Sequence, residues 1–449
     1  MWPFVYATPA PTPTLPLAKA IASAAAASPF ATEAFLAILF WFGVLQLFGR
    51  LVGRQTEAKW KAAASRWPEI PELERSELVN NAGLRLRRFT VRAEKPIGAV
   101  VLIHGYAQSA HFEFLKPTYP GGPHSEWEDS IMQHLVKAGF SCFTMDQQGH
   151  GESEGARGLR GFFEHFGDLV TDSLQLHDAV AMETGGELPI FWVAASMGGA
   201  VAARAAQQRP GCMAGLVTLA PMLSLTKVAE QKIFLNVRNK DLLPVASLLS
   251  WLLPTLPLVA KSESVLAQQL DVEFKADKSN YTGSVRVRVA YYFDLVCRQF
   301  LAAGCMENIT CGALLALHAR GDTMTEPDGS VALFERATSA RKALVLIGGP
   351  DGRPGLARTI VDGVERQALS EADGVGGRGR ARESASDASL RELLSLQQWH
   401  ALTSEPGCEK VSAAVTLWLV DEAERWWARE ETKAKPDSPI KRRSKSPRR

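Results

Sequence analysis

A serine in a tight turn is the first candidate for chemistry in this sequence. It lies in Ala194-Ala195-Ser196-Met197-Gly198, between an apolar run that predicts a strand and a small-residue segment that predicts a helix. This arrangement matches the nucleophile-elbow pattern G-x-S-x-G, except that alanine replaces the first glycine. A serine hydroxyl becomes an effective nucleophile only when a base takes its proton. The pattern therefore requires a base, and an acid that orients it, elsewhere in the chain.

The chain order expected after such an elbow is serine, then acid, then histidine. Asp322 ends the segment ALLALHARGD, and His400 lies in QQWH, shortly before a helix predicted over Cys408–Trp427. Asp322 would hold the imidazole of His400 in the required tautomer, and His400 would take the Ser196 proton. Asp328 is the rival acid, whereas no histidine other than His400 follows Asp322.

Acyl chemistry also needs hydrogen-bond donors for the negative oxygen of a tetrahedral intermediate. The segment His104-Gly105-Tyr106 follows the first predicted parallel strand, where the second donor of this architecture belongs. We assign the two donors as the backbone N–H groups of Tyr106 and Met197. We interpret His104 as a structural hydrogen-bonding group in preference to a base. His150, in DQQGHG, is interpreted as ordering its own loop, with substrate contact as the alternative.

Short apolar runs alternate with helix-like segments through the middle of the chain. The runs end at glycine or a polar residue and are Gly98–Ile103, Phe140–Met145, Pro189–Ala194, Ala313–Leu317 and Ala343–Ile347. The helix-like segments include Trp127–Ala138, Phe166–Met182 and Gly198–Gln208. Such alternation predicts a mostly parallel sheet with helices on both faces. In such sheets, sites form at the carboxyl ends of the strands, which is where the candidate residues lie.

Two segments interrupt this alternation. Residues 221–300 contain the apolar, proline-broken run LLPVASLLSWLLPTLPLVA, which predicts an inserted helical cap. Residues 350–394 lack strong periodicity, and we interpret them as a mobile, low-complexity surface insertion. Without that insertion, the interval between Asp322 and His400 becomes an ordinary strand-plus-loop distance. The expected halves of the core are residues 57–220 and 301–432.

Both ends of the chain differ from the middle. Residues 1–56 are predicted to be a low-complexity leader with a membrane anchor, because residues 34–52 are apolar enough to span a ~30 Å hydrocarbon layer. Basic residues follow this run, so the positive-inside rule predicts a single-pass protein whose catalytic region faces the cytoplasm. A cleaved targeting peptide and a buried core helix are the alternatives. Residues 433–449, KAKPDSPIKRRSKSPRR, predict a solvated basic tail, with lipid contact or an import signal as alternatives.

The composition excludes several classes of protein. The chain is 46% hydrophobic and 22% charged, which is ordinary for a globular protein. Its net charge of +2 gives no basic field that would indicate a nucleic-acid partner. Six scattered cysteines without a CxxC pair predict reduced thiols, with a Cys305–Cys311 disulfide as a minor alternative. We expect no metal and no cofactor, and the oligomeric state is left open.

Five segments in order carry a family resemblance. IHGYAQSAHFEF, FTMDQQGHGESEG, VAASMGGAVA, LLALHARGDTMTEPDGS and QQWHALTSEP resemble the monoglyceride lipase/lysophospholipase group of α/β-hydrolases, with the plant-type branch closest. The resemblance covers residues 75–349 and 395–428. It implies an α/β-hydrolase fold with an eight-stranded, mostly parallel sheet and a helical cap. It also implies hydrolysis of monoacylglycerols or lysophospholipids by Ser196, Asp322 and His400 without a metal.

Three residues depart from the pattern of that group. Gln108 stands where the group often has an acid, Gln148 where it often has arginine, and Ala319 where glycine is common. The first of these bears on recognition of the substrate head group. The alternatives left open are a carboxylesterase for phenolic or other small esters, a peptidase, an acyltransferase with the same triad and a non-catalytic scaffold. His124 and Asp129 fit an H-x4-D acyltransferase pattern, which is short and common.

Overall fold

The computed structural model describes most of the chain between residues 67 and 434. The described residues are 40, 41, 43, 44, 47, 67–70, 72–119, 122–230, 243–257, 265–349, 355–362, 364–370 and 384–434. Most of the predicted anchor, residues 34–52, and nearly all of the tail, residues 433–449, lie outside this set. No helix within the described residues is both long and apolar enough to cross a membrane.

A ten-stranded sheet forms the centre of the protein. The strands in chain order are β1 (Glu74–Val79), β2 (Arg85–Val91), β3 (Gly98–Ile103), β4 (Lys116–Pro117), β5 (His124–Glu126), β6 (Phe140–Met145), β7 (Ile190–Ala195), β8 (Gly215–Leu219), β9 (Ala313–Ala319), β10 (Arg341–Ile347), β11 (Leu356–Val361) and β12 (Val364–Ser370). Their order across the main sheet is β1-β2-β6-β3-β7-β8-β9-β10-β11-β12, and β4 and β5 form a separate hairpin. In this spatial order, neighbouring strands from β6 through β3, β7, β8 and β9 to β10 pair in parallel. The outer strands, β1 and β2 on one side and β11 and β12 on the other, pair with their neighbours in antiparallel orientation.

The central strands are apolar along their whole length because both faces of the sheet are covered. Every residue of β3, GAVVLI, is buried. Val101 and Ile103 contact one hydrophobic core, and Val100 and Leu102 contact the other. Successive side chains of a strand point to opposite faces, so one continuous apolar run supplies two cores.

Helices pack on both faces of the sheet. In chain order they are α1 (Ala110–Phe114), α2 (Ile131–Lys137), α3 (Phe166–Glu183), α4 (Met197–Gln208), α5 (Thr226–Glu230), α6 (Leu243–Leu252), α7 (Val265–Ala276), α8 (Val287–Leu301), α9 (Pro327–Arg336), α10 (Ala385–Glu392) and α11 (Cys408–Ala434). Helices α3 and α4 contribute to the core that contains Val101. Helices α2, α10 and α11 contribute to the core on the opposite face.

The predicted α/β-hydrolase fold is confirmed, with one correction to the strand count. The eight expected strands correspond to β1–β3 and β6–β10. Strands β11 and β12 extend the sheet to ten, and they lie in the segment interpreted as a low-complexity insertion, residues 350–394. Helix α10 also lies in that segment and packs Leu390 into the core. The interpretation of residues 350–394 as a mobile, low-complexity surface insertion is therefore corrected for its described residues, 355–362, 364–370 and 384–394.

In the described part of the chain between β8 and β9, where the cap over residues 221–300 is predicted, there are four helices, α5 to α8. The side chain of Arg288 on α8 joins two parts of this region, because it donates a hydrogen bond to the backbone carbonyl of Ser250 at 2.9 Å and pairs with Glu164 outside the cap. The cap is thus fastened to the loop that precedes α3.

Candidate active site

Ser196 lies in a strained turn between β7 and α4. Its backbone φ of 50° and ψ of −118° are unusual for a residue with a side chain. Hydrogen bonds hold the turn, since the Ser196 N–H donates to the Leu219 carbonyl at 2.9 Å and the Ser196 carbonyl accepts from Met222 N–H at 2.9 Å. Gly198 is required here, because a Cβ at this position would lie 2.4 Å from the Ile103 carbonyl oxygen. The turn therefore matches the predicted nucleophile elbow.

The three residues proposed as a triad meet at the carboxyl end of the sheet. Nε2 of His400 lies 3.2 Å from Oγ of Ser196, and Nδ1 of His400 lies 2.6 Å from Oδ2 of Asp322. In this arrangement His400 Nδ1–H donates to the carboxylate, and Nε2 is left to accept the serine proton. This is the tautomer that general-base catalysis requires.

Asp322 is buried but held by several hydrogen-bond donors. Its Oδ1 accepts from the N–H groups of Met324 at 2.7 Å and Thr325 at 3.0 Å. Nε2 of His318 lies 3.1 Å from Oδ2, the oxygen that also contacts His400. Burial alone would raise the pKa of Asp322, but the charge of His400 and the hydrogen bonds from the two histidines lower it. Asp322 is therefore ionised at neutral pH.

The competing assignments place their residues elsewhere. Asp328 is exposed in the first turn of α9. His124 stacks on the ring of Phe112, with 3.8 Å between ring centroids, and its Nδ1 contacts the Phe112 carbonyl at 2.5 Å. Asp129 is largely exposed, with a 64% exposed side chain. His124 and Asp129 are thus two unconnected side chains, and the H-x4-D interpretation has no geometric basis.

Glu405 positions the loop that carries His400, although no pattern in the sequence indicates this role. Its carboxylate accepts hydrogen bonds from three successive backbone N–H groups, those of Trp399, His400 and Ala401, at 2.5, 2.8 and 2.7 Å. Asp322 and Glu405 both favour the protonated imidazole. Burial would lower the pKa of His400, but Asp322 in particular outweighs burial and raises it.

His318 is a second missed residue, and its signal was its place in the segment HARGD. It is fully buried at the end of β9. Nδ1 of His318 lies 2.8 Å from the hydroxyl of Ser330. When His318 Nε2–H donates to Asp322, Nδ1 accepts a hydrogen bond from this hydroxyl. His318 therefore links the proposed catalytic acid to helix α9.

The structure also brings the expected oxyanion segment to Ser196. A Cβ at Gly105 would lie 3.2 Å from the Cβ of Ser196, so this backbone passes directly beside the serine. Within the described residues, the backbone N–H groups of Tyr106 and Met197 have no hydrogen-bond acceptor. Both amides are therefore available to a ligand, as a pair of oxyanion donors must be.

A buried carboxylate, Glu113, connects this segment to the loop of His400. Its Oε2 accepts from Gly105 N–H at 3.3 Å, and its Oε1 accepts from the hydroxyl of Thr403 at 2.9 Å. Burial raises the pKa of Glu113. The hydrogen bonds from Thr403 and Gly105 lower it, but they offset only part of this increase. No pattern in the sequence had indicated this residue.

The two histidines named as loop candidates make backbone contacts. His104 Nδ1–H donates to the Gly105 carbonyl at 2.7 Å, and Nε2 accepts from Gln147 N–H at 2.9 Å. Nδ1 of His150 lies 3.0 Å from the Gln148 carbonyl. Burial lowers the pKa of His104 and holds that of His150 well below the ordinary value. Both imidazoles are therefore neutral, in keeping with the structural interpretation.

Two departures from the family pattern have a structural setting. Oε1 of Gln108 is buried next to Gly105 and has no hydrogen-bond partner within the described residues. Gln148 donates to Oδ2 of Asp172 at 2.7 Å, so a neutral amide faces a buried carboxylate where the family often has arginine. Burial raises the pKa of Asp172 to about 6.

The described residues contain neither a disulfide nor a cluster of metal ligands. All six cysteines are free thiols, so the alternative of a Cys305–Cys311 disulfide is not realised. Among the described residues, no group of three or more His, Cys, Asp or Glu side chains is arranged to hold a metal ion.

The chain is similar in sequence to curated lipases and in structure to solved hydrolases. The chain is 27% identical to rat (Rattus norvegicus) monoglyceride lipase over 234 residues, which cover 52% of this chain and 72% of that protein. It is 26% identical to human monoglyceride lipase over 260 residues, covering 55% of this chain and 81% of that protein. Among solved structures, the monoacylglycerol lipase of Paleococcus ferrophilus aligns with a TM-score of 0.49 and 18% identity, covering 75% of this chain and 99% of that one.

A family profile defines the group to which the chain belongs. The profile of the serine aminopeptidase S33 family matches residues 121–349, just over half of the chain. Ser196 and Asp322 lie within the matched residues, whereas Tyr106 and His400 lie outside them. The chain is therefore a serine ester hydrolase with the α/β-hydrolase fold, and it belongs to the serine aminopeptidase S33 family.

Proposed function

We propose that the protein hydrolyses the ester bond of monoacylglycerols or lysophospholipids through an acyl-enzyme on Ser196. The observation that carries the proposal is the continuous contact from Ser196 Oγ through His400 to Asp322, at 3.2 and 2.6 Å. The relatives in rat and human are named monoglyceride lipases, which supports a monoacylglycerol as the first substrate to test.

In the acylation step, Ser196 Oγ attacks the ester carbonyl while His400 Nε2 takes the hydroxyl proton. The imidazolium that forms is stabilised by ionised Asp322 beside Nδ1. The backbone N–H groups of Tyr106 and Met197 donate to the oxyanion of the tetrahedral intermediate. His400 then gives its proton to the leaving glycerol or glycerophosphate oxygen, and the acyl group remains on Ser196.

In the deacylation step, a water molecule takes the place of the leaving alcohol. His400 Nε2 removes a proton from this water, and the resulting hydroxide attacks the acyl carbonyl. Collapse of the second tetrahedral intermediate releases the fatty acid and returns the proton to Ser196. An acyltransferase would differ only at this step, because an alcohol would replace the water.

The apolar cap supports a lipid substrate over a small polar ester. Helix α6 has the sequence LPVASLLSWL, which contains no charged residue. Leu248 and Trp251 on this helix are 53% and 49% exposed. An acyl chain under such a cap would gain about 0.8 kcal/mol for each buried CH₂ group.

A substrate panel tests the proposed function. The full-length chain would be assayed in detergent against monooleoylglycerol, lysophosphatidylcholine, trioleoylglycerol, p-nitrophenyl butyrate and an aminoacyl p-nitroanilide, with Ser196→Ala as the blank. Preference for either monoacyl lipid would support the proposal and identify the head group. Turnover of the short or phenolic ester alone would favour a general carboxylesterase, and turnover of the anilide alone would favour a peptidase.

We also propose that residues 34–52 attach the protein to a membrane, with the catalytic region facing the cytoplasm. The apolar sequence of this segment and the basic residues after it support this proposal. Deleting residues 1–56 should move the protein from the membrane pellet to the supernatant while activity on a short ester is kept. A matched deletion of residues 433–449 should leave it in the pellet. If the first deletion also stayed in the pellet, the attachment would lie elsewhere.

A further inference from the structure

The loop between β3 and α1 carries Tyr106, whose backbone N–H is a proposed oxyanion donor. Segments outside the cap hold this loop at several points. Gly105 N–H donates to Glu113 at 3.3 Å, the Tyr106 hydroxyl donates to the Gly161 carbonyl at 2.9 Å, and Ala110 N–H donates to Oδ1 of Asp146 at 2.7 Å. Ala107 and Ser109, which lie between these residues, are held from a different part of the molecule.

Ala107, directly after Tyr106, has an unfavourable backbone conformation. Its φ is 65°, in the left-handed region that favours glycine and disfavours residues with a Cβ. Strained backbone of this kind persists only when surrounding contacts hold it. The contacts that hold Ala107 therefore help to determine where the Tyr106 N–H points.

A segment of the cap, Asp277–Tyr281, supplies those contacts, and we call it the cap strap. Tyr281 N–H donates to the Ala107 carbonyl at 2.7 Å. Oγ of Ser279 lies 2.9 Å from Oγ of Ser109. In α1, directly after the loop, Nε2 of His111 lies 2.7 Å from Oδ2 of Asp277. The strap thus contacts Ala107 and Ser109 in the loop and His111 in α1.

The strap is braced internally and shielded from water. Oδ1 of Asp277 accepts from the N–H of Ser279 at 2.9 Å and from its hydroxyl at 2.6 Å. Asp277 is 4% exposed and His111 is 3% exposed. Hydrogen bonds to a charged group are stronger than neutral ones, and burial removes the competition of water. Asp277 therefore connects the strap to α1, directly after the loop, and also sets the shape of the strap.

We infer that the cap strap positions the oxyanion loop, with Asp277 and His111 as positioning residues for ester hydrolysis. The inference rests on the proposed role of the Tyr106 N–H as an oxyanion donor. It makes the cap part of the catalytic machinery in addition to a cover over the substrate. Loss of the strap contacts would let Ala107 relax and would turn the Tyr106 N–H away from the developing charge.

The first test is Asp277→Ala in the full-length chain, assayed with p-nitrophenyl butyrate, a substrate with little acyl chain to contact the cap. We expect kcat to fall about 10-fold or more with little change in KM, because an oxyanion donor acts mainly in the transition state. The matched control is Arg288→Met, which removes the contacts of cap helix α8 with Glu164 and with the Ser250 carbonyl and leaves the strap contacts in place. This control should leave kcat within about twofold of the wild type, because Arg288 shares no partner with the strap or the oxyanion loop.

A second variant and a second readout separate positioning from general loss of structure. Ala107→Gly relieves the backbone strain, so adding it to Asp277→Ala should restore kcat about threefold or more. The affinity for phenylboronic acid, whose serine adduct places an oxygen at the oxyanion site, should fall by the same factor as kcat. Ser279→Ala, a milder change, should show the same pattern if Asp277→Ala does not fold.

The outcomes distinguish the strap from the proposed function. Wild-type activity above the Ser196→Ala blank establishes the hydrolase independently of the strap. Equal losses of kcat in folded Asp277→Ala and Arg288→Met would then contradict the inference alone. So would a fall in kcat without any change in boronic acid affinity. Wild-type activity no higher than the blank would contradict the proposed function itself, and unchanged boronic acid affinity in Asp277→Ala would still contradict the strap.

Discussion

Nε2 of His318 lies 3.1 Å from Oδ2 of Asp322, the same carboxylate oxygen that His400 contacts through Nδ1. Two imidazoles therefore share one acceptor, and the second one has no route to Ser196. His318 is fully buried and acts on the reaction only through the acid. This arrangement explains how a buried carboxylate keeps its charge and its orientation toward His400.

Replacing His318 tests that relationship. In His318→Leu, Asp322 loses one of its donors and the Ser330 hydroxyl loses its partner. We expect kcat to fall about 10-fold, with a loss of about 1–3 kcal/mol in the free energy of unfolding from the unpaired buried groups. The control is His318→Gln, whose amide N–H can still reach the carboxylate. It should keep more activity than His318→Leu, and equal activity of the two variants would count against the role.

Asp322→Asn tests the assignment of the acid. The amide cannot hold His400 in the required tautomer, so kcat should fall by about 10⁴. Asp328→Asn should have no effect on kcat, because Asp328 is exposed in the first turn of α9. The reverse pattern, with loss only in Asp328→Asn, would show that the acid was wrongly assigned.

Asp322→Asn should also change the pH dependence of kcat/KM. Burial lowers the pKa of His400 and Asp322 raises it, with a net increase in the wild type. The acidic limb of kcat/KM reports this group in the free enzyme. Wild-type kcat/KM should therefore fall through a midpoint above the ordinary imidazole value as pH decreases. In the residual activity of Asp322→Asn, the midpoint should move to lower pH, and a move to higher pH would contradict the account.

Glu405→Ala tests how the loop of His400 is held. The variant leaves three successive N–H groups without their acceptor, which frees the loop to move. We expect kcat to fall about 10-fold to 100-fold, since a displacement of about 1 Å is enough for such a loss. Glu409→Ala, an exposed position in the first turn of α11, is the matched control and should behave as the wild type. Similar kinetics for both variants would remove Glu405 from the account.

The raised pKa of Asp172 predicts that the free energy of unfolding depends on pH. Burial raises its pKa from 3.8 to about 6, and its partners among the described residues are the side-chain amides of Asn80 and Gln148. The folded protein therefore binds this proton more tightly than the unfolded chain. The resulting stabilisation is complete below pH 3.8 and is lost as pH rises through about 6. The loss corresponds to about 3 kcal/mol.

Urea unfolding of the wild type and Asp172→Asn would measure this contribution. As pH rises from 3.8 to above 6, the free energy of unfolding of the wild type should fall relative to that of the variant, whose side chain does not titrate. Comparing the two proteins cancels the contribution of other titrating groups. A difference between them that stays constant over this range would contradict the raised pKa.

The sequence predicted the sheet well because its central strands are buried on both faces. The predicted bounds are correct for Gly98–Ile103 and Phe140–Met145, since a continuous apolar run of this length is buried as a central strand in such a fold. The hairpin of β11 and β12 was missed because its strands mix Arg and Glu with apolar residues. Its signal was Asp362-Gly363 between two alternating segments, which is typical of a two-residue hairpin turn.

The candidate triad could be selected from the sequence, but the residues that hold it in place could not. Ser196, Asp322 and His400 could be chosen because each follows a strand or loop of recognisable type, in the expected chain order. Glu113, Glu405 and the cap strap act through contacts between segments that are distant in sequence. Glu113 contacts Thr403, which is 290 residues away, and no local pattern encodes that distance.

Trapping the acyl-enzyme would show directly whether Ser196 is the nucleophile. The full-length wild type would be mixed with excess monooleoylglycerol, quenched in acid within the first turnover and digested for mass spectrometry. The account predicts one oleoyl group on the peptide that contains Ser196, and none on that peptide in Ser196→Ala. Glycerol release by the wild type without an acylated peptide, or release that persists in Ser196→Ala, would contradict it.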